Sequence, residues 1–165
     1  MERRRWSALR ELADVTIATS AYRVHQVKNL VADRFRQHPR SSTPNINLLS
    51  FGYKYGVPFE ADLVFDVRFL PNPYFVPRLK GLSGRDRKVQ TYLRAFPEVR
   101  VLTKRLMGFV DYLLPKYARE GKAYLTIAIG CTGGRHRSVF MVEELAKLLK
   151  KPKRNLQVRH RDENA

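Results

Sequence analysis

The sequence predicts an α/β fold, a single domain whose mixed or mostly parallel sheet is flanked by helices. Three observations carry this expectation. Tyr124–Ile129 is apolar at nearly every position, the mark of a central strand covered on both faces. A Gly-rich loop follows it, and then an amphipathic helical pattern over Arg137–Lys150. Upstream, strand-like runs alternate with helical periodicity, as the crossovers of a parallel sheet require.

Residues 2–12 are helical in pattern, and Asp14–Ile17 reads as a short strand. Ser20 suits the N-cap of a helix over 21–36, with Val24, Val27, Val31 and Phe35 on one face. His38–Pro44 holds two prolines and a run of small polar residues, so it reads as a linker. The chain thus divides into residues 1–38, a linker at 39–45, and a domain over 46–165. In that domain Ile46–Tyr53 and Asp62–Leu70 read as strands around a Gly-Val-Pro turn at 56–58. Alternation in the second puts Leu63, Phe65, Val67 and Phe69 on one face, with Asp66 and Arg68 neighbours on the other. Pro71-Asn72-Pro73 ends it. A Gly-rich basic loop at 78–88 precedes helices near 86–95 and 98–119. In the longer helix Leu102, Leu106, Phe109 and Leu113 predict the buried stripe. Pro97 suits a first helical position, whereas Pro115 is expected to kink or restart the last turn. After the central strand, the helix at 137–150 and a short strand at 155–160 complete the pattern.

Composition narrows the partners. The chain has 165 residues, with 32 Lys and Arg against 15 Asp and Glu, for a net charge of +17. Solubility needs far less, so a polyanion is the expected partner, RNA or DNA ahead of a membrane. An Arg-rich proteome using Arg as a general surface residue is the bland alternative. No apolar run is long enough to span a bilayer, and the basic N-terminus lacks the apolar stretch of a signal peptide. The single cysteine cannot form an internal disulfide, so a reducing cytoplasm is the expected location.

The chemistry concentrates in Gly130–Ser138. Glycines let backbone N–H groups turn inward, the following helix adds a partial positive charge, and Arg135, His136 and Arg137 add donors. An anion is the expected guest of Cys131, Thr132, Gly133, Gly134, His136 and Arg137. The loop also parses as Cys-x5-Arg, the spacing of cysteine-dependent phosphatases. Gly130 stands where those enzymes usually carry His, and no general acid identifies itself beyond the candidates Asp66 and Asp86. A tight turn with an inert Cys131 is the structural alternative. His136 reads as a phosphate donor, an acid/base or an ordinary exposed loop residue. The histidines at 25, 38, 136 and 160 are scattered, so no metal and no cofactor are expected. Asp66 and Arg68 read either as a fixed ion pair or as cleft residues, with Asn72 adding a donor and an acceptor. Two basic clusters suit a nucleic-acid backbone. One is Arg78, Lys80, Arg85, Arg87 and Lys88; the other is Lys150, Lys151, Lys153 and Arg154, continuing to Arg159 and Arg161. Tyr92 is available for stacking.

Three blocks together resemble one family. They are Ser50–Pro58 (SFGYKYGVP), Asp62–Pro73 (DLVFDVRFLPNP) and Ala128–Ser138 (AIGCTGGRHRS), and the tail Val158–Asp162 (VRHRD) also fits. The sequence is similar to the C-terminal domain of the RNase adapter proteins of the RapZ family, from about residue 46 onward. That resemblance implies a cytoplasmic, non-enzymatic adapter that binds small regulatory RNA and presents it to an endoribonuclease. It also implies sensing of glucosamine-6-phosphate and self-association of the domain. The phosphate and sugar would lie on Cys131, Thr132, Gly133, His136 and Arg137, helped by the Asp66–Arg68 strand. Tyr55 stands where some members have His. Family members carry a P-loop domain, and G-x-x-x-x-G-K-[ST] is absent here. Residues 1–38 resemble the last pieces of that domain, so the chain reads as a truncated gene, a fragment or part of a split protein. A bare scaffold fragment and a cysteine-dependent phosphatase are the alternatives.

Overall fold

Strands β1 (Asn45–Gly52), β2 (Leu63–Asp66), β3 (Tyr124–Cys131) and β4 (Leu156–His160) form one sheet in the order β2-β3-β1-β4. Every pairing is parallel, so the sheet is wholly parallel rather than mixed. The structure, a computed structural model, describes residues 44–165 except Lys153, together with isolated positions 13, 17, 19–21, 27 and 31. The helix read at 2–12 and most of the strand at 14–17 and of the helix at 21–36 lie outside the described residues. The chain divides into two compact units, Met1–Ser41 and Ser42–Ala165, and the second is described below.

Four helices accompany the sheet: α1 (Pro77–Lys80), α2 (Arg87–Arg94), α3 (Pro97–Arg119) and α4 (Arg137–Leu149). Side chains alternate across a strand, so β1 and β3 each offer two faces. Ile46 and Leu48 join Leu125, Ile127 and Ile129 in the main core, against Leu79, Leu93, Val110 and Leu145 from the four helices. Leu49, Phe51 and Ala128 point the other way and are covered by Tyr53 and Ala61. The β1–β2 connection runs over that second face, whereas the helical connections run over the first. Crossovers that move in opposite directions along a sheet and share one hand must use opposite faces.

Three expectations change. The second strand stops at Asp66: the Val67 N–H makes the last ladder bond, to the Gly130 carbonyl at 2.9 Å, and the chain then turns, with Leu70 N–H donating to the Val67 carbonyl at 3.2 Å. Phe69 is consequently 68% exposed instead of sharing a buried face. The buried stripe of α3 is Val99, Leu106, Val110 and Leu114, leaving Phe109 45% exposed with its ring edge-on to Phe65. Both stripes have helical spacing, and the sheet selects the one that fills its core. The helix also runs through Pro115 to Arg119; the proline lies in the last turns, where few helical bonds follow it.

Candidate functional site

All four strands point their carboxyl ends at one edge, and the turn Thr132–His136 joins β3 to α4 there. This is where open parallel sheets bind ligands. Its backbone turns at Gly134, whose φ of 77° lies in the left-handed region. Gly52 at the end of β1 presses on it: a Cβ on Gly52 would come within 2.7 Å of the Gly133 carbonyl carbon. The tail closes the same spot, since Gly52 N–H donates to Asp162 Oδ2 at 2.7 Å in a buried position. Burial opposes ionisation of Asp162. The Arg161 guanidinium and the Gly52 N–H outweigh it and hold the carboxyl below the usual range. Arg161 also donates to the Tyr55 and Gly56 carbonyls, at 3.3 and 2.7 Å. It is therefore a structural latch and not, as read from the tail, part of an exposed basic cluster.

Arg137, the first residue of α4, is 5% exposed. Its Nη1 donates to the carbonyls of Arg68 and, at 3.1 Å, Leu70; Nη2 donates to Thr132 Oγ1 at 3.2 Å. Nε is buried without a partner. Burial lowers the guanidinium pKa, although arginine stays charged in proteins. Nη1 and Nη2 thus brace the β2–α1 connection and the loop against α4, and Nε is left without a bond.

Beside it lies a cavity of about 860 Å³. Cys131, Thr132, Gly133, His136 and Arg137 line it from the end of β3 and the loop, and Tyr55 and Asn72 line it from the connections that follow β1 and β2. Open space surrounds Gly133 where a Cβ would stand. Gly134 supports the turn from below, packed on Asp162 and Gly52. Sequence reasoning missed Lys54, Tyr74, Phe75 and Pro77 on the opposite wall. Lys54 lies over the Tyr55 ring at 5.2 Å and Lys80 over the Tyr74 ring at 4.6 Å. A cluster of aromatics and lysines around Asn72 was the available signal.

His136 is 7% exposed, not an exposed loop residue. Its Nε2 meets the Leu79 carbonyl at 3.3 Å, so this nitrogen carries the proton. Burial, seconded by the Arg135 charge, lowers the pKa against that hydrogen bond. With Arg135, which donates to the Gly81 and Leu82 carbonyls at 2.7 and 3.2 Å, His136 fastens α1 to the loop. Gly84 makes this possible: its N–H donates to the Arg135 carbonyl, and a Cβ would stand 2.2 Å from the His136 oxygen.

Asp66 and Arg68 form a bidentate ion pair, closest at 2.6 Å, and neither lines the cavity. Hydrogen bonds from Arg68, against the desolvation, hold the Asp66 carboxyl below the usual range, the reverse of what a general acid needs. Asp86 accepts from Ser83 N–H at 2.6 Å. Cys131 is 3% exposed, with Sγ 3.1 Å from the Ser138 hydroxyl. Gly130 has a packing reason, since a Cβ there would stand 2.4 Å from the Phe51 ring. The His usual before the phosphatase cysteine does not fit. Asp66, held ionised by Arg68 and turned away from the cavity, is not placed as a general acid for Cys131.

Arg78, Arg85, Arg87, Lys88, Lys150 and Lys151 are exposed. Lys80 is exposed too but belongs to the cavity rim. Arg85 also lies 3.7 Å from Glu163. Arg154 donates to the Leu149 carbonyl at 3.2 Å and caps the end of α4, while Lys153 lies outside the described residues. Among the described residues no group of three or more His, Cys, Asp or Glu converges as a metal site would, and no helix is long and apolar enough to cross a membrane.

The family model of the RapZ C-terminal domain matches residues 44–164. A protein of Geobacter metallireducens is 51% identical over 161 residues, which is 98% of this chain and 56% of that relative. A protein of Acidobacterium capsulatum is 45% identical, with 98% and 52% covered, and one of Myxococcus xanthus 47%, with 98% and 56%. Each bears the name nucleotide-binding protein. The chain spans about half the length of the curated relatives it matches.

Proposed function

The chain belongs to the RapZ C-terminal domain family, and from that membership we propose that it is a ligand-sensing, RNA-binding adapter without enzymatic turnover. Its ligand is glucosamine-6-phosphate or a similar sugar phosphate. Its macromolecular partners are a small regulatory RNA and an endoribonuclease in the cytoplasm, and the domain self-associates. One observation carries the ligand reading. Arg137 and Gly133 line the same cavity, the Arg137 guanidinium keeps an unpartnered Nε, and a Cβ on Gly133 would meet open space. A phosphate fits that charge and that space, and Asn72 and Tyr55 offer hydrogen bonds to sugar hydroxyls. The net charge of +17 and the exposed cations around α1 and α2 support the RNA reading.

Calorimetric titration of glucosamine-6-phosphate tests it. Arg137→Ala removes the guanidinium but also strips two carbonyls of their donor, so Gly133→Ala is the cleaner variant. It adds a methyl to open space without touching the fold. Wild type is expected to bind and Gly133→Ala to bind at least about tenfold more weakly, a loss of roughly 1.4 kcal/mol. No heat from wild type defeats the sensing claim. Turnover of an aryl phosphate that vanishes in Cys131→Ser would establish the phosphatase reading instead.

A further inference from the structure

A second cavity, of about 700 Å³, opens on the far side of α1. Pro77 and Lys80 face the first cavity, whereas Arg78 and Leu79 line the second together with Arg87, Lys88, Thr91 and Tyr92 of α2. The pattern of α2 dictates this. Val89 and Leu93 are fully buried, which turns residues 87, 88, 91 and 92 onto one outward face. Tyr92 is half-buried and braced edge-on by Phe96, with ring centroids 5.1 Å apart, so its ring is a fixed part of the wall. The described residues lining the groove include three cations and no carboxylate.

We propose that this groove seats one unpaired nucleotide of single-stranded RNA, its base against Tyr92 and its flanking phosphates against Arg78, Arg87 and Lys88. The proposal rests on the RNA-binding reading above and not on the sugar-phosphate pocket. An aromatic wall framed by cations suits a base with phosphates on either side. A duplex keeps its bases stacked on one another and cannot present one to the ring. An acidic peptide would satisfy the cations and make no particular use of Tyr92.

Fluorescence anisotropy with the whole chain and a short, unstructured, labelled single-stranded RNA tests the seat, with a duplex of equal length as comparison. Tyr92→Leu keeps the apolar volume and is expected to weaken single-strand binding about tenfold, while Tyr92→Phe stays near wild type. Thr91→Glu, on the exposed rim, introduces a like charge to the phosphates without disturbing packing and is expected to weaken it as well. Arg87→Ala and Lys88→Ala should each reduce the slope of log affinity against log salt by about 0.7. If Tyr92→Leu and Thr91→Glu bind as wild type does, the seat is overturned and RNA binding stands. If wild type binds no RNA at low salt, both fall. Equal affinity for duplex and single strand also overturns the seat. So does polyglutamate binding that needs Arg87 while RNA binding ignores both Arg87 and Tyr92, which would assign the groove to an acidic peptide.

Discussion

Gly133 and Gly134 are neighbours with opposite duties. Gly134 holds a left-handed φ, and a Cβ on it would meet Asp162 and the Gly52 nitrogen at 2.8 Å. Gly134→Ala is therefore expected to cost at least about 2 kcal/mol in urea unfolding, combining backbone strain and overpacking. Gly133→Ala should stay within about 0.5 kcal/mol of wild type, as an unpacked surface change does, while losing ligand. Titration at single residues has a readable order too. His136 is neutral when folded, with its pKa lowered, so its contribution is complete above the unfolded value of about 6.5 and fades as pH falls toward the folded value. Asp66 and Asp162 have lowered pKa values, so their contributions persist to about pH 4 and are lost below it. Urea midpoints measured across pH should fall in these two stages. His136→Gln is expected to flatten the first and Asp162→Asn part of the second.

At the scale of elements, the site is assembled by clamps between segments distant in sequence. Arg161 grips the Tyr53–Tyr55 turn through the Tyr55 and Gly56 carbonyls, and Asp162 grips the end of β1. Arg161→Ala should accelerate hydrogen exchange at the Gly56 amide and weaken ligand binding a few-fold, with only a small change in global stability. Unchanged exchange there would mean the turn is held by its own Tyr53 carbonyl alone. Much of this level was legible. The apolar run of β3 and the 3.6-residue period of α4 declare their elements, because strand and helix propensity depend on neighbours in sequence. The length of β2 and the buried stripe of α3 were not legible. Asp62–Leu70 alternates correctly along its whole length, yet the ladder ends after Val67, where the Leu70 N–H turns back to the Val67 carbonyl. In α3 the apolar residues cover a wide arc, and only the sheet decides which part of it is inside.

For the whole molecule, charge and ligand linkage give the observable consequences. A ligand that binds only the folded state at about a hundred times its Kd stabilises by roughly 2.7 kcal/mol. Glucosamine-6-phosphate should therefore raise the unfolding midpoint of wild type and leave that of Gly133→Ala nearly unmoved. RNA affinity should fall steeply and linearly with salt on a log–log plot, because counterion release accompanies each phosphate contact. Affinity indifferent to salt would contradict a role for the +17 charge in binding.

The α/β order and the strand–glycine turn–helix unit are legible in the chain's local pattern, and the expectation of an anion comes from the same stretch. Those are properties of contiguous residues, set by periodicity, glycine and local charge. Folding sets what each polar group does there. It made His136 a buried fastener of α1, Asp66 and Arg68 a closed ion pair, Arg161 a latch and Arg137 a brace between α4 and the β2–α1 connection. Each of those roles depends on a partner brought close by folding. The Gly52–Asp162 bond joins residues 110 apart, and the Arg137–Leu70 bond joins residues 67 apart. No local pattern encodes such distances; burial and hydrogen-bond satisfaction at the sheet's carboxyl edge do.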